Sequence, residues 1–138
     1  MIRYDMQELK NKIIEIGKLL WDKGLVTGFN GNISARVDAD TILITATGTC
    51  LGYLKLQDIV TLSLKSGEVM GEGKASSEKF MHTEVYNNFP DIKAVVHTHP
   101  TYTNGFFLSN PNIPINPKAI ISVKGTTIFN DLTAFGVW

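Results

Sequence analysis

Apolar residues near the start of the chain recur at the spacing of an α-helix. Successive members of the series are four, three and four residues apart: Leu9, Ile13, Ile16 and Leu20. Such steps place the side chains on one face of a helix. Gly24 follows the series and is of a type that commonly ends helices. The pattern therefore predicts an amphipathic helix over about residues 6–23.

The pattern then changes to the alternation that is typical of β-strands. Residues 33–37 and 41–45 are separated by Asp38-Ala39-Asp40, which predicts a hairpin. Residues 59–64 alternate again and turn back into Val69-Met70. A second helix is predicted to open at Ser76 or Ser77, which are good N-cap residues, and to run to about Asn88.

The rest of the chain predicts further strands. The pattern predicts one strand over residues 91–99, a helix or turn over residues 101–108, and one or two short strands over residues 113–138. Few connections are long enough for parallel crossovers, so we expect a mixed α/β fold with a largely antiparallel sheet. No repeat or linker divides the sequence, and residues 1–138 are interpreted as a single domain.

Composition narrows the possible partners and location. Thirteen basic and thirteen acidic residues give a net charge of zero, and no run of like charges occurs. A nucleic-acid or membrane partner is therefore not expected. No apolar stretch is long enough to span a membrane, and no signal-peptide block opens the sequence. Cys50 is the single cysteine, which excludes an internal disulfide, and we predict a cytoplasmic protein.

Two histidines at the end of a predicted strand are candidate metal ligands. His97 and His99 are two positions apart, so their side chains leave the strand on the same face. Two neutral imidazoles on one face form half of a divalent-metal site, with zinc as the commonest occupant. The alternative is a pair of strand-end histidines that face water.

The start of the second helix carries a candidate anion site. Free backbone N–H groups and the hydroxyls of Ser76 and Ser77 suit a phosphate, although ordinary N-capping explains the same residues. Glu78, His82 and Tyr86 follow at four-residue spacing on one helical face. This stripe could direct Glu78 towards the histidine pair or could be a solvated face. For His82 we favour a structural, hydrogen-bonded role.

Two glycine motifs lie beside predicted strands. Gly31-Asn32 precedes one strand and Thr47-Gly48 follows another. Glycine allows backbone amides to approach a ligand, and Asn and Thr add side-chain contacts. Taken singly, each motif is equally explained by turn chemistry.

Taken together and in order, these motifs resemble the class II aldolase/adducin family. The matching segments cover roughly residues 7–115: Gly31-Asn32-Ile33-Ser34, Ile44-Thr45-Ala46-Thr47-Gly48, Glu72-Gly73-Lys74-Ala75-Ser76-Ser77-Glu78 with His82, and Ala94-Val95-Val96-His97-Thr98-His99-Pro100. The resemblance implies a three-layer sandwich, in which helices flank a mostly antiparallel sheet. It also implies a homo-oligomer, usually a fourfold-symmetric tetramer with active sites between subunits. Enzymes of the family depend on zinc or manganese and act on phosphorylated keto-sugars.

The resemblance also implies roles for individual residues. The substrate phosphate would be bound by five of them: Asn32, Thr47, Gly48, Ser76 and Ser77. His97 and His99 would bind Zn²⁺, with Mn²⁺ as the alternative. Glu78 would ligate the metal at rest or act as acid and base during turnover. The implied reaction is retro-aldol cleavage of a small sugar phosphate, in which the metal stabilises an enediolate.

The sequence departs from the family pattern in its metal ligands and in its tail. The family supplies a third metal histidine from a later strand, and no histidine follows His99 here. We therefore expect the chain to lack the family's C-terminal part. The alternative function is a non-catalytic adducin-like module or an inactive fragment, although Glu78, His97 and His99 favour descent from an enzyme. A phosphate- or nucleotide-binding domain of another kind ranks last, because no nucleotide-binding glycine loop is present.

Overall fold

The computed structural model describes residues 5–102, 109, 126–128 and 134–137. Its helices include α1 (Met6–Asp22) and α2 (Lys79–Asn88), and short 3₁₀ turns lie at Leu51–Tyr53 and Leu56–Asp58. Its strands are β1 (Asn32–Arg36), β2 (Thr41–Thr45), β3 (Ile59–Ser63), β4 (Ala94–Thr98), β5 (Thr126–Ile128) and β6 (Ala134–Val137). In this described part of the chain, no helix is long and apolar enough to cross a membrane.

The strands form one six-stranded sheet in the order β3-β2-β1-β4-β6-β5. Every described pair is antiparallel, which confirms the predicted sheet type. The predicted hairpin is formed by β1 and β2, and β5 and β6 are the short strands predicted within residues 113–138. The helix or turn predicted over 101–108 lies largely outside the described residues.

Helix α1 begins and packs as its sequence predicts. Asp5 is its N-cap, and the Asp5 carboxylate accepts a hydrogen bond of 2.7 Å from the backbone N–H of Glu8. This bond satisfies one of the free N–H groups at the start of the helix. Ile13 and Leu20 are buried against the sheet. The apolar stripe therefore covers one face of the sheet and leaves the polar face of α1 in solvent.

The two faces of the sheet pack against different helices. In β1, Ile33 and Ala35 belong to the core on the α1 side. On the opposite side, Val95 of β4 and Ile44 of β2 pack with Tyr86 of α2. Side chains alternate between the two faces of a strand, so β2, β3 and β4 contribute to both cores. The result is the predicted three-layer arrangement, with a helix on each side of an antiparallel sheet.

A buried arginine holds α2 against the sheet. Arg36, at the end of β1, is 3% exposed. Its guanidinium donates to the backbone carbonyl of Ile92 at 2.9 Å and to that of Tyr86 at 2.8 Å. It also lies 4.7 Å from the centre of the Tyr86 ring, close enough for a cation–π contact. These contacts fix the C-terminal end of α2 and thereby set the position of the whole helix.

Candidate functional site

All the residues predicted for the site line one cavity of about 280 Å³. The predicted residues that line it are Asn32, Thr47, Gly48, Ser76, Ser77, Glu78, His97 and His99. They come from β1, from the loop after β2, from the segment that leads into α2, and from the end of β4. The fold therefore brings together residues that are far apart in the sequence.

Backbone hydrogen bonds hold the two polar loops of the cavity side by side. Ala46 and Ala75 form an isolated antiparallel bridge. The N–H of Thr47 donates to the carbonyl of Lys74, and the N–H of Ser76 donates to the carbonyl of Thr45, each at 3.0 Å. The Thr47-Gly48 turn is thereby fixed next to the Ser76-Ser77 segment, where the two can contact the same ligand.

The serine pair lies before helix α2, at the start of a turn. Helix α2 starts at Lys79, later than the predicted start at Ser76 or Ser77, because residues 77–78 form a turn. The hydroxyl of Ser76 accepts a hydrogen bond of 3.2 Å from the N–H of Glu78, which is a capping interaction. Ser76 is buried, whereas Ser77 is exposed in the cavity. The hydroxyl of Ser77 is therefore the more accessible one to a ligand.

The two candidate metal ligands lie together at the end of β4. The centres of the His97 and His99 rings are 4.7 Å apart. His97 is buried, and the segment after it is held by a 3.2 Å bond from the N–H of His99 to the carbonyl of Leu25. Two imidazoles that line one cavity are a suitable donor set for a divalent ion.

The loop before β1 approaches this strand closely because it contains a glycine. Gly31 has a φ of +77°, in the region that side chains rarely adopt. A Cβ atom at this position would lie 2.7 Å from a methyl carbon of Val26 and 2.9 Å from the carbonyl oxygen of His97. Glycine is therefore required for Asn32, the next residue, to lie directly beside His97.

Glu78 lines the cavity from the N-cap position of α2, and its side chain is exposed. Among the residues that the structure describes, no three His, Cys, Asp or Glu side chains converge closely enough to hold an ion. The structure thus brings two candidate donors together, His97 and His99, and the Glu78 carboxylate would have to reorient to join them. Such movement is available to an exposed side chain.

The surroundings of His82 fit the structural, hydrogen-bonded role that we favoured for it. It is 0% exposed and forms hydrogen bonds with the Ser34 hydroxyl and the Asn32 side chain. Burial, with a smaller contribution from the charge of His97, lowers the pKa of His82 from 6.5 to about 3. His82 is therefore neutral at physiological pH, and it lies behind the cavity rather than in its lining.

Sequence reasoning did not identify the contacts of Asn32. Its side-chain oxygen faces the imidazoles of both His82 and His97, the latter at 3.3 Å. A phosphate would be bound by N–H groups of Asn32, and this role stays a prediction. The contact with His97 depends on the register of β1 against β4, which pairs Asn32 with His97. No local pattern in the sequence indicates that register.

Comparison with known proteins gives consistent matches. A family model described as Class II Aldolase and Adducin N-terminal domain matches residues 11–134. An L-fuculose phosphate aldolase of Methanococcus vannielii is 38% identical over 114 residues, which is 82% of this chain and 61% of that protein. A 3-oxo-tetronate 4-phosphate decarboxylase of Pectobacterium atrosepticum is 38% identical over 96 residues, covering 70% of this chain and 44% of that protein.

A solved structure described as L-fuculose 1-phosphate aldolase superimposes with a TM-score of 0.67 at 32% sequence identity. The match covers 75% of this chain and 49% of that one. The chain therefore spans between 44% and 61% of the length of the curated relatives described above.

Proposed function

The chain belongs to the class II aldolase and adducin N-terminal domain family, and on this premise we propose that it acts in the metal-dependent cleavage of a small phosphorylated keto-sugar. The observation that carries the proposal is the composition of a single cavity. A pair of imidazoles, a carboxylate, and a rim of hydroxyls and glycine line the same 280 Å³ of space. These are the groups that a retro-aldol reaction on a sugar phosphate requires.

One side of the cavity would bind the phosphate. The hydroxyls of Thr47 and Ser77, with the backbone at Gly48, line this side, and hydrogen bonds fix the two loops against each other. Gly48 has a φ of +72° and no atom near the place of a Cβ, so its backbone is open to a ligand. Anchoring the phosphate there would orient the reacting carbons near the histidines.

The other side of the cavity would hold the reacting end of the sugar. His97 and His99 would bind the divalent ion, Zn²⁺ or alternatively Mn²⁺, and Glu78 would complete the set when its side chain turns inwards. Such an ion supplies Lewis-acid stabilisation of the negative charge that develops as the carbon–carbon bond breaks. In turnover, the Glu78 carboxylate would accept the proton of the hydroxyl whose carbon becomes a carbonyl.

A second candidate reaction is decarboxylation of a phosphorylated sugar acid. It is favoured by the similarity to the 3-oxo-tetronate 4-phosphate decarboxylase, which has the same identity of 38% as the aldolase. Loss of carbon dioxide beside a ketone also leaves negative charge next to the carbonyl carbon, so the same cavity groups would serve. The two reactions differ in the leaving group and not in the way the phosphate is anchored.

A direct assay would separate these possibilities. The purified chain is loaded with Zn²⁺ or Mn²⁺ and mixed with a panel of ketose 1-phosphates and 3-oxo acid phosphates. Released triose phosphate is followed by a coupled reductase, and carbon dioxide by a carboxylase assay. We expect metal-dependent release of one product, no turnover of the dephosphorylated sugars, and loss of turnover in His97→Ala.

Other results of this assay would contradict the proposal. Equal cleavage of the dephosphorylated sugars would exclude phosphate anchoring, and turnover in the presence of a strong chelator would exclude the metal. An inactive chain that still binds its metal would favour the non-catalytic module. The proposal also includes a cytoplasmic homotetramer, for which light scattering should give four times the mass of one chain.

A further inference from the structure

A continuous line of hydrogen bonds crosses the core from α2 to the histidine pair. The Tyr86 hydroxyl lies 2.8 Å from the Ser34 hydroxyl, which lies 2.7 Å from Nδ1 of His82. Nε2 of His82 bonds the side-chain oxygen of Asn32, and the same oxygen lies 3.3 Å from Nδ1 of His97. We call these five side chains the buried relay.

The secondary structure explains why these side chains meet. Asn32 and Ser34 are two positions apart in β1, so both face α2. His82 and Tyr86 are four positions apart in α2, so both face the sheet. Asn32 lies opposite His97 in the register of β1 with β4. Each member of the buried relay is at most 5% exposed, so water does not replace these bonds.

With the Asn32 amide oxygen facing the two rings, the direction of each hydrogen bond follows. A side-chain amide oxygen only accepts, so the facing nitrogens, Nε2 of His82 and Nδ1 of His97, must both carry hydrogen. A neutral His82 that donates from Nε2 has its lone pair on Nδ1, where it accepts from Ser34. The hydroxyl of Ser34 in turn accepts from Tyr86. Every bond in the relay then has one donor and one acceptor.

We propose that Asn32, His82, Ser34 and Tyr86 hold His97 as its Nδ1–H tautomer, which leaves the ligating lone pair on Nε2. These residues act as positioning residues, and an imidazole binds a metal only through a nitrogen without hydrogen. Ser34, His82 and Tyr86 are absent from the cavity lining and therefore act through Asn32. The metal-binding consequence rests on the proposed function, whereas the tautomers of the two histidines do not.

The orientation of the Asn32 amide makes this proposal testable, because a reversed amide would reverse every bond. With the nitrogen towards the rings, both facing nitrogens would be acceptors, and His97 would carry its hydrogen on Nε2. The relay therefore requires opposite tautomers in the two histidines, Nε2–H in His82 and Nδ1–H in His97. The reversed amide would give the converse pair, Nδ1–H in His82 and Nε2–H in His97, so the position of each hydrogen decides between the two orientations.

The first experiment is long-range ¹H–¹⁵N correlation NMR on the metal-free wild-type chain, labelled with ¹⁵N-histidine. His82→Gln and His97→Gln spectra assign the ring signals by their loss. We expect hydrogen on Nε2 of His82 and on Nδ1 of His97, as the relay requires. Hydrogen on Nε2 of His97 would overturn the proposal, and this readout requires no bound metal.

The second experiment measures Zn²⁺ affinity by competition with a chromogenic chelator. Ser34→Ala removes the hydrogen bond to His82, which two further hydrogen bonds of the relay separate from His97. We expect Zn²⁺ to bind about tenfold more weakly, as for loss of partners that orient metal ligands. Thr83→Ala is the matched control. It removes another buried hydroxyl, which bonds the Phe80 carbonyl at 2.9 Å and lies outside the relay. Equal weakening by both substitutions would overturn the proposal.

The two experiments also separate this proposal from the proposed function. Hydrogen on Nε2 of His82 and on Nδ1 of His97, in a wild-type chain that binds no Zn²⁺, would support the relay and count against the metal-dependent lyase. Tight Zn²⁺ binding with hydrogen on Nε2 of His97 in the metal-free chain would support the lyase and overturn the relay. The same two tautomers together with selective weakening by Ser34→Ala would support both.

Discussion

Replacing His82 by glutamine should remove a specific sensitivity of the fold to mild acid. His82 is 0% exposed, and burial lowers its pKa from 6.5 to about 3. Between these values the unfolded chain binds a proton at this position and the folded chain does not. Unfolding then takes up a proton, so the free energy of unfolding decreases as the pH falls.

The size of the effect follows from the two pKa values. With 6.5 in the unfolded chain and about 3 in the folded one, the loss at pH 5 is about 2 kcal/mol relative to neutral pH and above. About 1 kcal/mol of that loss falls between pH 6 and pH 5. A typical domain has only about 5–15 kcal/mol of stability, so the decrease is easily measured.

The assay is urea unfolding followed by tryptophan fluorescence at a series of pH values from 5 to 7.5. We expect the wild-type free energy of unfolding to fall more steeply with acid than that of His82→Gln, by about 1 kcal/mol per pH unit below pH 6. Tyr86→Phe is the control, because it breaks a neighbouring hydrogen bond and retains His82. It should lower stability while keeping the wild-type slope. Equal slopes in wild type and His82→Gln would refute the reasoning.

Three further predictions concern the loops, the carboxylate proposed to be catalytic, and the core. Gly31→Ala should lower the free energy of unfolding by more than Gly48→Ala, because both residues have positive φ but, of the two, Gly31 lacks space for a Cβ. Gly48→Ala should cost about 1–2 kcal/mol. Equal costs in urea titrations would contradict this prediction. Glu78→Gln should lower kcat much more than it raises KM, whereas an equal effect on both in steady-state kinetics would argue against proton transfer by Glu78. Leu62→Ala, at a fully buried position, should lower the free energy of unfolding by about 2–5 kcal/mol. Met70→Ala, at a residue that is 46% exposed, should lower it much less in the same urea titrations.

Local periodicity predicted the helices and strands of the described core well. The first helix was predicted over about 6–23 and is found at Met6–Asp22. The starts of later elements were less accurate. Helix α2 begins at Lys79, because the Ser76 hydroxyl bonds the N–H of Glu78 across a turn before the helix. Capping residues in the sequence do not distinguish a helix start from the turn that precedes it.

The membership of the cavity was predictable, but its internal contacts were not. His97 and His99 share a face because strand geometry is local, and their rings are indeed adjacent. The bonds of Asn32 to His82 and His97 depend on strand register and on the placement of α2. Buried partners such as Arg36 fix that placement across about fifty residues of sequence. Such long-range relations leave no periodic trace in a single sequence.

The central claim is that the histidine pair holds a divalent ion in the polar cavity. The most direct test is the metal content of the purified chain, loaded with Zn²⁺ or Mn²⁺, dialysed, and measured by plasma mass spectrometry beside His97→Ala and the control Thr83→Ala. We predict close to one ion per chain in the wild type and in Thr83→Ala, and almost none in His97→Ala. A wild-type chain without retained metal, or a His97→Ala chain that retains as much as the wild type, would contradict the claim.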